Sequence, residues 1–212
     1  MCYGASGAGG WWCGRYFWGM LRLSVLILGC CLLLARPVAA QKYNVPLAAA
    51  PIGFAWQPLP ESKAALLLPE GWAYQAEGEK GSPTYYLTRE ATGESGEYQT
   101  GLSLQVVRKV KTKTGRPAPE YAELLMLRTG FGPGQQQLEK ATSVEGAFYK
   151  RTVRYREAPP QAEARVVFQL ALANARTDTL YLLTFESPEK DWAEAWKLGA
   201  VMVRELVLDG RQ

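Results

Sequence analysis

Between residues 101 and 110 the chain alternates: Leu102, Leu104, Val106 and Val110 share one parity, and Ser103, Gln105 and Lys109 take the other. A period of two sends one row of side chains into a core and the other toward water, which predicts a strand of a sheet with one buried face. The same pattern returns in residues 164–174, where Val166, Phe168, Leu170 and Leu172 line one face. Residues 147–157 alternate as well, with Lys150, Thr152, Arg154 and Arg156 on one side and Phe148 as the exception. Residues 180–186 are nearly apolar throughout. Upstream, the apolar run 64–68 ends at Pro69-Glu70-Gly71, a turn signal, and 72–76 resumes as extended chain. Residues 84–89 are aromatic and β-branched, and lie between Gly/Glu-rich loops at 77–83 and 90–99. The links at 158–162 and 175–178 are too short for crossovers, so the strands they join are antiparallel neighbours.

Helical spacing appears twice. Pro117 and Pro119 open a helix that runs through Arg128, with Tyr121, Leu124, Leu125 and Arg128 three and four residues apart, and the glycine-rich segment 129–134 ends it. Ser187-Pro188 reads as a second helix start, a hydroxyl cap followed by proline, with Glu189 and Asp191 near the positive end. Trp192, Ala195, Trp196, Gly199, Met202 and Leu206 then form an apolar stripe fit to lie on a sheet. The expected fold is α+β, an antiparallel β-sheet flanked by helices. No solenoid repeat interrupts it.

The N-terminal segment has a different character. The apolar run 23–35 is 13 residues long, against about 20 needed to cross a bilayer. Arg22 precedes it, and Val38 and Ala40 stand where a leader peptidase reads small residues before Gln41. Residues 1–40 therefore read as a signal peptide, with translation expected to start at Met20, and the protein as exported to the periplasm or outside the cell. A lipid anchor at Cys30 is the rival, because 27–30 approximates a lipobox; the apolar residues after it argue against that. All four cysteines lie before residue 40 and the chain has no histidine. After cleavage no thiol or imidazole remains, which removes the soft metal ligands and most nucleophilic chemistry. Three of the 24 basic residues and none of the 20 acidic ones precede position 41. The remaining chain is near neutral and has no overall pull toward nucleic acid. Residues 41–60, with four prolines, read as an extended tether, and 61–212 as one domain.

The order of elements carries a resemblance. A strand running into Leu68-Pro69-Glu70-Gly71-Trp72 is followed by the strands at 85–88 and 102–107 and by the proline-started helix within 115–125. Last comes the strand 180–186, passing through Ser187-Pro188-Glu189-Lys190-Asp191-Trp192 into a C-terminal helix. In this order the chain resembles the PsbP-like superfamily, which includes DcrB-like envelope proteins and a Ran-binding import factor. The resemblance covers residues 60–209. It implies an antiparallel sheet sandwiched between helices (an α/β/α sandwich) and a role without catalysis. PsbP is a luminal photosystem subunit whose ion effects involve histidine; none is present here, so no photosystem or metal residue carries over.

Candidate chemistry is sparse. A Ser–Lys pair or a carboxylate pair is the remaining route to hydrolysis, and no motif marks either. Arg108, Lys109, Lys111, Lys113 and Arg116 make the densest charge run, a contact for an acidic partner or an anionic surface, or else a solvated strand end that discourages edge pairing. Glu90, Glu94 and Glu97 could bind a hard cation, though their spacing matches no known loop. Trp72, Trp192 and Trp196 fit a helix–sheet core; Trp56, Trp192 and Trp196 could instead line an apolar groove. The leading expectation is an exported, non-catalytic envelope protein that binds a protein partner or supports assembly, without a cofactor. A carrier for a small apolar or lipidic ligand held between helix and sheet comes second, and a hydrolase third.

Overall fold

Alternation does produce the sheet. The computed structural model describes residues 47–208 except 63, 80 and 92–97. The leader, its cysteines, the cleavage site, Glu94 and Glu97 lie outside the described residues. The strands are β1 (Phe54–Leu59), β2 (Ala64–Pro69), β3 (Ala73–Glu79), β4 (Ser82–Thr88), β5 (Gly101–Arg108), β6 (Gln135–Glu145), β7 (Phe148–Glu157), β8 (Arg165–Asn174) and β9 (Thr179–Pro188). The helices are α1 (Val110–Thr114), α2 (Ala118–Leu127) and α3 (Trp192–Arg204), the last entered through a 3-10 turn at Glu189–Asp191. β3 to β9 form one seven-stranded antiparallel sheet in the order β3-β4-β5-β9-β8-β7-β6, and β1 and β2 form a separate hairpin.

Each face of the sheet has its own core. Tyr85, Leu87, Leu102, Leu104, Leu183 and Phe185 point toward α3 and the β1–β2 hairpin, meeting Ala195, Met202, Leu59 and Leu66. The opposite row, including Val153, Val167, Ala171 and Leu180, meets Val110, Ala118, Ala122 and Met126 of α1 and α2. Burying each large apolar side chain contributes about 1.5–3 kcal/mol. The layering is therefore helix and hairpin, sheet, helix pair, the α+β sandwich expected.

Four local expectations change, and one strand was not expected. Residues 54–59 are a paired strand rather than a tether: Trp56 faces Leu67 across the hairpin, and Leu59 is fully buried. β5 stops at Arg108; Lys109 turns left-handed (φ 54°), and Val110 opens α1 and joins the second core instead of extending its row. In α2 the buried residues are Ala118, Ala122 and Met126, while Leu124 and Leu125 are exposed. Both rows have helical spacing, and the small one lets α2 approach a sheet face already filled by Tyr155 and Val153. Ser187 caps no helix. It is buried at the end of β9 opposite Val166, its hydroxyl donating to the Pro188 carbonyl at 3.2 Å. Finally, β6 has no sequence expectation at all, because its QQQLEKATSVE has no apolar alternation.

Candidate functional site

Helix α3 sits close to the sheet because Gly199 has no side chain: a Cβ there would lie 2.7 Å from Cε2 of Phe185. Around that contact Trp192 and Trp196 stack at 5.1 Å between ring centroids, both edge-on to Phe185, and Trp196 also covers Phe168 at 4.7 Å. Along the flank of α3 that carries Trp196, Ala200 and Val203, a groove of about 580 Å³ opens toward the β6–β8 side of the sheet. Its floor is Phe148, Leu170 and Leu172, its wall Trp196, Val203 and Leu206, and its polar rim Glu145, Lys150 and Arg204. Lys150 reaches Glu145 at 3.6 Å and Arg204 reaches Glu205 at 2.8 Å. Exposed pairs of this kind are worth about 0–1 kcal/mol, so both cations can turn to another anion at little cost.

The expected tryptophan trio is only partly assembled. Trp192 and Trp196 come together, but only Trp196 lines the groove; Trp192 stacks behind it. Trp56 lies in the β1–β2 hairpin, donates its indole N–H to the Ala48 carbonyl at 2.7 Å, and stacks on no ring among the described residues. Pairing with β2, which sets Trp56 opposite Leu67, took it elsewhere. The residues that sequence reasoning missed are Phe148, Lys150 and Arg204; the break in alternation at Phe148 was the one available signal.

The basic run wraps the end of the sheet. The Lys113 ammonium donates to the Gly81 carbonyl (3.1 Å) and to the Ser82 hydroxyl (2.5 Å), and Arg116 lies 4.0 Å from Glu120. The Asp178 carboxylate accepts the Lys111 and Ala118 amides at 2.8 and 3.1 Å. Arg108 closes β5, its amide donating to Gly81. Lys109 and Lys111 remain as exposed ammonium groups with no ion-pair partner among the described residues. Ser82 and Lys113 are within Ser–Lys bonding distance, but they line neither the groove beside α3 nor the smaller hollow at Pro60, Glu79 and Tyr85, and the lysine holds two acceptors at the rim of the sheet.

Glu90, the described member of the acidic loop, is engaged by donors. It accepts the Thr100 amide at 3.0 Å and Arg89 Nε at 3.1 Å. Burial opposes its charge, but these donors outweigh it and hold the carboxyl below its usual range. Among the described residues no cluster of His, Cys, Asp and Glu could hold a metal ion.

A second charged cluster sits on the α2 face. Arg165 bridges Glu157 at 2.6 Å and Glu186 at 2.8 Å. Burial pushes the Glu186 carboxyl up, and Arg165 offsets only part of that; Glu157, bonded first by Gln135 and then by Arg165, is held below its usual range. Glu186 in the native state thus binds its proton more tightly than in the unfolded chain, so its contribution to stability falls as pH rises from about 4.5 through its raised value. Glu157 has the opposite sign: its contribution is lost as pH falls through its lowered value. Glu186→Gln, which stays neutral, is expected to gain stability relative to wild type as pH rises from 4 to 7. Urea denaturation across that range checks it, and a difference that shrinks with rising pH counts against the assignment.

No protein-family model matches the chain, and no curated protein sequence matches it. Solved structures similar to it include the Ran-binding protein Mog1p of Saccharomyces cerevisiae, at 17% identity and a TM-score of 0.47, covering 73% of this chain and 95% of that one. The PsbP of the cyanobacterium Synechocystis is similar at 12% identity and a TM-score of 0.46, covering 78% and 99%. LpqN of Mycobacterium tuberculosis, involved in cell envelope biogenesis, is similar at 9% identity and a TM-score of 0.45, covering 73% and 91%. PsbP, whose superfamily the order of elements resembles, is thus among them. At these identities and scores, nothing about activity or partners passes to this chain.

Proposed function

We propose that this chain is an exported, non-catalytic binding protein of the cell envelope, and that the groove beside α3 is its seat for a small lipidic ligand. The groove is the observation that supports this. Small-molecule sites enclose about 300–1,000 Å³, are mostly apolar, and carry a few polar groups that orient the ligand. An acyl chain would lie on Phe148, Leu170 and Leu172 against Trp196, with an acidic head at Lys150 and Arg204. Export rests on the leader-like residues 1–40. Equilibrium dialysis with radiolabelled palmitate tests the ligand. Wild type is expected to bind saturably, and Ala200→Trp, which fills the groove from α3, to lose at least about tenfold in affinity, equivalent to 1.4 kcal/mol. Unchanged binding by that variant, with a wild-type urea midpoint, would remove the groove from consideration.

A second reading, an acidic protein partner in the envelope, is favoured by the exposed Lys109 and Lys111 at the end of the sheet. Such a contact weakens with salt because it lies at the surface.

A further inference from the structure

We propose that the chain pairs with a second copy of itself along the outer edge of β6, joining two sheets into one. This goes beyond the groove and does not depend on it. β6 ends the strand order and, among the described residues, is paired only with β7. Unpaired edges are templates for another strand unless charge, proline or a bulge blocks them. The other edge, β3, exposes Glu77 and Glu79. β6 contains no proline, and two of its three charges are already matched within the sheet: Glu139 by Arg154 at 3.2 Å and Glu145 by Lys150 at 3.6 Å. Its bulge, between Gln137 and Glu139, leaves 139–145 in regular register.

Exposed large hydrophobic residues concentrate in the stretch of sequence that holds β6 and the helix before it. Of seven exposed large hydrophobic residues among those described, six lie between positions 124 and 144: Leu124, Leu125, Leu127, Phe131, Leu138 and Val144. Phe131 is 65% and Val144 72% exposed. Leu138 and Val144 lie on the edge strand itself, where a paired strand would cover part of their apolar surface.

For a second copy, symmetry limits the register. A two-fold axis normal to the sheet keeps every side chain on its own face, so only residues of equal parity can oppose each other. Centring the axis on Lys140 sets that lysine against itself, and centring it on Thr142 sets Glu139 against Glu145. Centring it on Ala141 opposes Lys140 to Thr142 and Glu139 to Ser143 and brings Leu138 near Val144, with no like charges opposed. Like charges directly opposite destabilise a ladder, so of these three central registers the Ala141 one is favoured, and it alone of them brings Leu138 near Val144.

The test uses the full chain with Cys2, Cys13, Cys30 and Cys31 changed to Ser. A single cysteine at Ala141 is expected to form an intermolecular disulfide under mild oxidation, and one at Ser143, whose counterpart in the other copy lies four residues along the strand, is not. Light scattering from micromolar to near-millimolar concentration should show a dimer that Ala141→Lys weakens at least about tenfold, with its urea midpoint unchanged. A monomer throughout that range overturns the proposal, as does a dimer that crosslinks at Ser143 but not at Ala141. A dimer indifferent to Ala141→Lys also overturns it.

Discussion

Phe185→Ala is expected to lower the free energy of unfolding by about 3–5 kcal/mol, read as a fall in urea midpoint at unchanged slope. Phe185 is fully buried where α3 meets the sheet, with Trp192 at 5.8 Å, Trp196 at 5.5 Å and Gly199 against its ring. Deleting the ring costs its transfer free energy and leaves a cavity beside it. The helix cannot settle into that space, because the stacked Trp192 and Trp196 and the close packing of Trp196 on Phe168 hold it away. Gly199→Ala alone should cost about 1–3 kcal/mol from overpacking, partly offset by about 1 kcal/mol of helix propensity. In the Phe185→Ala background the added methyl enters the cavity. The double variant should therefore be more stable than the two single costs added together imply. Strict additivity would mean that Gly199 and Phe185 do not set the helix–sheet distance.

Asp178→Ala is expected to cost about 2–3 kcal/mol, since hydrogen bonds to charged groups are worth about 1.5–3 kcal/mol each and this carboxylate is partly open to water. Asp178 stands in the β8–β9 turn, yet its two oxygens satisfy amides in the first turns of both α1 and α2. First-turn amides have no partner within their own helix, and neither helix has a side-chain cap from its preceding residue. Asp178→Asn keeps one acceptor and should fall between wild type and alanine. Asp178→Gly separates two causes: the residue has φ 50°, which glycine adopts freely, so a cost similar to alanine's assigns the loss to the bonds rather than to the backbone. Faster amide exchange in residues 110–120 than elsewhere should accompany the loss. A change below about 0.5 kcal/mol, the range of ordinary surface substitutions, would contradict this account.

The two elements these variants probe were not equally visible in the chain. The stripe Trp192, Ala195, Trp196, Gly199 and Met202 has the helical period, and Leu180–Phe185 is an apolar run, so a helix laid on a buried strand follows from local pattern. Nothing local ties Asp178 to Lys111, 67 residues away, or to Ala118, 60 away. The basic run was visible as charge; its use as a cap on the sheet end, with Lys113 holding Gly81 and Ser82, was not. In α2 the sequence offers two helical rows, and only the crowded sheet beneath selects Ala118, Ala122 and Met126 over the leucines.

Strand and helix periodicity, short hairpin links and the absence of histidine could be read along the chain, because each depends on neighbours a few residues apart or on composition alone. The polar edge strand β6, the placing of Trp56 away from the other tryptophans, and the groove between the flank of α3 and β7 and β8 arise from the assembled layers. An edge strand wetted on both faces needs no alternation, and a groove is bounded by residues from separate elements. Both exist only once long-range packing has decided which surfaces meet and which do not.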